Sequence, residues 1–123
     1  MITRLIPIAT FFLVGCLGVP PALSQPEIQT CYFNGQEEPC TVIRLPDAYQ
    51  VTWLTDGKVV LYSFFNCVGI PEQAIDRCPV AIVEQNGRLS AGVAMLGGRG
   101  PSITSDNGNS TSLPLVAPAY YEY

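Results

Sequence analysis

Along residues 49–65, YQVTWLTDGKVVLYSFF, large apolar side chains recur at every second position, the period of a half-buried strand. Asp56 and Gly57 break the pattern where a two-residue type I′ turn needs positive φ, so the stretch predicts a hairpin. That turn would set Thr55 opposite Lys58, Trp53 opposite Val60, Val51 opposite Tyr62 and Tyr49 opposite Phe64. The large groups then share one face, while Gln50, Thr52 and Ser63 lie on the other with Leu54, Val59 and Leu61. Aromatic and β-branched cross-strand pairs contribute about 0.2–1 kcal/mol each, which makes this hairpin the expected centre of the core.

A second hairpin is predicted over 80–96, VAIVEQNGRLSAGVAML, with its turn at Asn86 and Gly87, Ile82 opposite Ala91 and Val80 opposite Val93. Gly92, Gly97 and Gly98 weaken the returning strand. Upstream, 31–33 and 41–45 read as two brief strands joined by a loop that contains Asn34, Gly35 and Pro39. Residues 67–78, CVGIPEQAIDRC, change to a helical pattern: Pro71 suits the first helical position, Glu72 the positive N-terminus and Arg77 the last turn. Ile70, Ala74 and Cys78 would share a face by four-residue spacing. From 97 to 123 the chain turns to Gly, Ser, Asn and Pro with few large apolar groups before Leu113, which predicts a flexible tail. The expected fold class is mainly β, a small α+β domain. Two hairpins pack as a small antiparallel sheet or sandwich, with one short disulfide-tethered helix and a disordered C-terminal tail.

The first 24 residues carry a different signal. One basic side chain, Arg4, precedes an apolar stretch over 5–19. That is shorter than the roughly 20 residues of a membrane span and close to the roughly 7–15 of a secretory segment. Pro20 and Pro21 end it, and Ala22, Leu23 and Ser24 form a small-x-small site, so cleavage is expected between Ser24 and Gln25. A rival signal is LVGC at 13–16, which resembles the lipobox of bacterial lipoproteins. The resemblance implies acylation of Cys16 and a membrane-anchored product. Against it, the sequence after Cys16 stays apolar where a polar tether would follow. The domain plan is a signal peptide over 1–24, a short lead-in over 25–30, a stapled domain over 31–96 and the tail over 97–123.

Removing 1–24 leaves Cys31, Cys40, Cys67 and Cys78, an even set downstream of an export signal, which reads as a disulfide framework of a secreted or periplasmic protein. Three pairings are open. The local one, Cys31 with Cys40 and Cys67 with Cys78, closes loops worth roughly 3 kcal/mol each against roughly 4 for the longer alternatives, a difference too small to choose between them, and is favoured because a turn can bring the ends of each short segment together. With no Cys-x-x-Cys, neither a redox pair nor a zinc ribbon is indicated. The chain carries six basic and ten acidic residues, a net charge of −4, and its cations are scattered, which disfavours nucleic acid and anionic membrane surfaces.

Histidine is absent, which excludes Ser-His-Asp and Cys-His constellations. Glu37 and Glu38 are adjacent, and neighbours in an extended chain point apart; Asp47 and Asp56 sit near turns, where aspartate bonds its own backbone. Trp53, Tyr49, Tyr62 and Phe64 are candidates for an aromatic platform and, more simply, for the core, as are Tyr32, Phe33 and Phe65. Asn109, Ser110 and Thr111 match the N-glycosylation acceptor pattern, and the terminal AYYEY could dock on a strand edge. The expectation is a monomeric, noncatalytic exported module without cofactor or metal, binding a protein or glycan partner or acting as an envelope component. Two alternatives stand beside it. One is a hydrolase inhibitor presenting the cross-linked loop from Ile70 to Arg77; the other is a small carboxylate-based hydrolase.

Overall fold

The computed structural model describes residues 26–119. The expected export segment with Cys16, the junction of Ser24 and Gln25, and residues 120–123 lie outside the described residues. Nine strands follow in chain order: β1 (Gln29–Phe33), β2 (Gln36–Leu45), β3 (Ala48–Trp53), β4 (Lys58–Phe64), β5 (Val68–Ile70), β6 (Ile75–Glu84), β7 (Leu89–Gly97), β8 (Gly100–Ser105) and β9 (Ser110–Ser112). Every pairing between them is antiparallel. Around the sheet the order is β4, β3, β2, β1, β9, β8, β7, β6, and β6 pairs back onto β4, so eight strands close a meander barrel with β5 as an extra strand on β6. Closure leaves the eight wall strands with neighbours on both sides, which two separate hairpins could not do.

The expected sheet or sandwich of two hairpins is therefore corrected to a closed barrel. The first hairpin keeps its predicted faces with a shifted register: Trp53 pairs Lys58, Val51 pairs Val60 and Tyr49 pairs Tyr62. The turn takes four residues, 54–57, because the Gly57 amide bonds back to the Trp53 carbonyl and the Asp56 carboxylate accepts the Lys58 amide. A slip of two residues preserves side-chain parity, and Val51, Trp53, Val60, Tyr62 and Phe64 all face inward as expected. In the second hairpin the slip is one residue. Ile82 pairs Ser90 and Val80 pairs Gly92, because Gln85, Asn86 and Gly87 form a three-residue turn with Gly87 at φ 91. That turns Ala91 and Val93 outward and places Gly92 and Ala94 inside.

The predicted helix over 67–78 is absent. In its place stand β5, a single 3-10 turn at Pro71–Gln73 and the start of β6. Pro71 and Glu72 do open a helical turn, but Ala74 adopts the left-handed conformation and ends it at once. The bridge itself forbids the helix. Cys67 and Cys78 are 11 apart in sequence with Cα atoms 4.2 Å apart, whereas a helix of that length would separate them by about 16 Å. The predicted tail is corrected as well: β8 and β9 complete the wall, and their positions alternate between inward Pro101, Ile103 and Thr111 and outward Ser102, Thr104, Ser110 and Ser112, with Leu113 just beyond β9 also inward. Pro39 lies within β2 instead of in a loop, since the β1–β2 turn needs only Asn34 and Gly35.

Turns at 34–35, 54–57, 85–87 and 106–109 share one end of the barrel, here the upper end. The lower end is closed by the chain after β9. Leu113 is 3 % exposed, Val116 packs on the core, and Pro118 bridges to Arg44. The Arg44 guanidinium donates to the Val116 carbonyl at 3.2 Å and the Ala119 amide donates to the Arg44 carbonyl at 2.9 Å.

Candidate functional site

At the upper end the barrel opens into a cup of about 370 Å³. Its deep wall consists of Val60, Tyr62, Ile82, Trp53 and Thr111, all buried, and Phe33 stands over Trp53 edge-to-face with ring centroids 6.0 Å apart. The Tyr62 hydroxyl hydrogen-bonds the side chains of Thr111 and Trp53, joining three strands at the bottom of the cup. Burial pushes the Tyr62 phenol above its usual 10.0; the two hydrogen bonds oppose the shift and the nearby Glu84 carboxylate adds to it. The bottom of the cup is thus a neutral hydroxyl framed by rings.

The rim is polar. Ser90, Ser105, Asn107 and Asn109 line one side, and five charged residues, Glu38, Asp56, Lys58, Glu84 and Arg88, line the cup with them. Lys58 and Glu84 pair at 3.6 Å across β4 and β6. Glu38 accepts the Thr55 hydroxyl at 2.8 Å, and Asp56 accepts the Lys58 amide at 3.0 Å. Arg88 lines the cup with its guanidinium in no salt bridge or hydrogen bond to another described residue. In an eight-stranded barrel the interior is either filled by side chains or just wide enough for one small ligand. Here the lower half is filled and the upper end holds the cup.

The structure brings together some of the residues singled out from sequence and separates others. Trp53, Tyr62 and Phe33 meet in the cup, whereas Tyr49 and Phe64 pack edge-to-face at the lower end, centroids 5.7 Å apart. Glu37 and Glu38 point to opposite sides of β2: Glu37 accepts the Tyr32 hydroxyl outside and Glu38 lines the cup. Asp47 lies in the lower β2–β3 turn, where its carbonyl accepts the Phe64 amide. Phe65 is exposed. The Asn109 side chain accepts from the Asn34 amide at 3.1 Å, and Thr111 is 5 % exposed, so the acceptor pattern at 109–111 forms the seam between β1 and β9. Cys31 and Cys40 are bonded inside the barrel, and Cys67 and Cys78 clamp β5 to β6 below, at the base of the Ile70 to Arg77 loop. Arg88, Ser90, Ser105 and Asn107 were missed by sequence reading. The dipeptide Asn107–Gly108, a hairpin signal within the expected tail, could have located two of them.

Among the described residues no group of three His, Cys, Asp or Glu is placed to hold a metal ion, and no helix is long and apolar enough to cross a membrane. Two disulfides suggest an oxidising setting. Comparison with protein-family models, with curated proteins and with solved structures found no match.

Proposed function

We propose that this chain is a noncatalytic, exported binding module whose upper cup takes one small ligand. The observation that carries the reading is the asymmetry of the interior: one end is closed by the chain after β9, and the other opens into a cup with aromatic walls and a polar rim. Flat rings supply large contact area at small entropic cost, and convergent hydroxyl and amide groups fix orientation. Delivery to a secreted or periplasmic space accords with the two disulfides and with the expected cleavage after Ser24; lipid anchoring at Cys16 is the alternative. Intact mass of the exported product, starting at Gln25 or carrying acyl chains on Cys16, separates the two.

Trp53 is the single tryptophan of the chain and lines the cup, so its emission reports occupancy directly. We expect a saturable change in Trp53 emission with at least one class in a panel of monosaccharides, amino acids, aromatic acids, aromatic amines and neutral ring compounds. Ser90→Tyr, which places a ring in the cup without entering the buried core, should abolish it. A panel that leaves the emission flat, or equal binding by the Ser90→Tyr variant, would end the reading.

A further inference from the structure

The charges in the cup are not distributed evenly. Lys58 and Glu84 neutralise one another at 3.6 Å, which leaves Glu38, Asp56 and Arg88. Glu38 stands on β2 and Asp56 in the turn after the adjoining β3, whereas Arg88 closes the turn into β7. Counting around the closed wall, β2 and β7 are four strands apart in either direction, so the acidic side and Arg88 stand on opposite sides of the opening. Glu38 uses one oxygen, Oε1, to accept from Thr55, and among the described residues its other oxygen and the fork of Arg88 have no partner. The Phe33 and Trp53 pair stands on β1 and β3, the two strands that flank Glu38 on β2, so the rings line the acidic side of the opening.

Resting on the binding reading above, we propose that the cup selects a small zwitterion bearing a flat ring, with its cationic group toward Glu38 and its anionic group toward Arg88. A ligand with a single charge would leave one side of the opening unmatched, and one with two like charges would meet repulsion at one of them. A ring packs on the face made by Trp53 and Phe33, while the Tyr62 hydroxyl, already bonded to Thr111 and Trp53, sets the depth to which it enters. The class that combines these features most compactly is the aromatic α-amino acid.

Four probes with one ring isolate the two charges: L-phenylalanine, 3-phenylpropionate, phenethylamine and benzyl alcohol, each titrated against Trp53 emission in the full chain at neutral pH. The amino acid should bind about tenfold more tightly than either singly charged analogue, as expected when a charge-assisted hydrogen bond is gained. Arg88→Gln should weaken L-phenylalanine and 3-phenylpropionate and leave phenethylamine unchanged; Glu38→Gln should weaken L-phenylalanine and phenethylamine and leave 3-phenylpropionate unchanged. Both residues lie at the opening, outside the buried core, and far-ultraviolet circular dichroism of each variant confirms that it is folded. Equal affinity for all four probes, or equal losses for all of them in both variants, would overturn the zwitterion while leaving the cup as a ring-binding site. No saturable response to any of the four would overturn it too, and the wider panel above would then decide separately whether the cup binds at all.

Discussion

Tyr62 illustrates how a single side chain serves both the core and the cup. Its ring is 4 % exposed, and its hydroxyl ties Thr111 of β9 and Trp53 of β3 to β4. Because its folded pKa lies above the unfolded value of 10.0, the native state holds this proton more strongly than the unfolded chain does. Its stabilising effect is therefore complete below pH 10 and is lost as pH rises from there through the folded value. We expect stability from urea unfolding to fall above pH 10, and Tyr62→Phe to lessen that fall. At pH 7 the same variant should cost about 1–2 kcal/mol, since the buried Thr111 hydroxyl loses a partner. Gly92 acts by what it lacks. A Cβ there would stand 2.3 Å from the Thr104 carbonyl oxygen and 2.8 Å from the Ser105 Cα, both backbone atoms of β8 that cannot swing aside. Gly92→Ala should destabilise by roughly 1–3 kcal/mol in the same urea measurement, an overpacking cost at a position where sequence alone marks only a weakened strand.

Among the elements, prolines and cysteines explain much of what the alternation of apolar residues could and could not reveal. Pro39, Pro79 and Pro101 all lie inside wall strands, where a missing amide normally breaks the ladder. Each sits opposite the first residue beyond the end of a neighbouring strand: their carbonyls accept the amides of Leu54, Phe65 and Leu113 at 3.0, 3.2 and 3.0 Å. The donor each lacks would have served a strand that has already ended. Nothing local in the sequence announces such positions, so Pro39 reads as a loop until the register is known. The inward set of β3 and β4 was legible because Asp56 and Gly57 mark a turn and the register error there was even. The inward set of β7 was not, because the extra residue in the 85–87 turn inverts every position after it. The cup was legible only as scattered aromatics. Its rim is assembled from strand ends and from the turns at 54–57 and 106–109, which meet only once β1 has paired with β9 and β4 with β6, and neither pairing leaves a short-range trace. The bridges should also act differently. Removing Cys31 and Cys40 together, as alanines, should cost about 3 kcal/mol and lower the Tm by about 12–24 °C, because both lie fully buried between adjacent wall strands. Replacing Cys67 and Cys78 with serine should speed hydrogen exchange chiefly over 65–77, since β4 and β6 remain joined at 80–84 without it. Exchange rising equally across the barrel would show that β5 helps to hold the closure.

For the molecule as a whole, closing the wall creates a problem that two packed hairpins would not face: an open barrel of eight strands has two ends, and each exposes interior side chains. The upper end is tolerable because hydroxyl, amide and charged groups ring it. The lower end has few such groups. Tyr49, Phe64 and Leu96 approach it, and Arg44 lies over the Tyr49 ring with its guanidinium carbon 6.0 Å from the centroid. The segment after β9 covers them, leaving a cleft of about 130 Å³. This makes the Pro-rich segment after β9 a structural part, although the Gly, Ser and Asn residues that precede it give the stretch from 97 onward the composition of a linker. Two leucines in it, two positions apart, separate seating from mere presence. Leu113 is 3 % exposed within the core and its amide bonds to Pro101, whereas Leu115 is 55 % exposed at the lip of the cleft. Leu113→Ala should cost about 2–4 kcal/mol by loss of burial and creation of a cavity. Leu115→Ala should stay within about 0.5 kcal/mol, as surface truncations do. Urea unfolding of the two variants beside the parent measures the contrast. Comparable losses at both positions, or none at Leu113, would mean that the lower end is closed by something other than this segment.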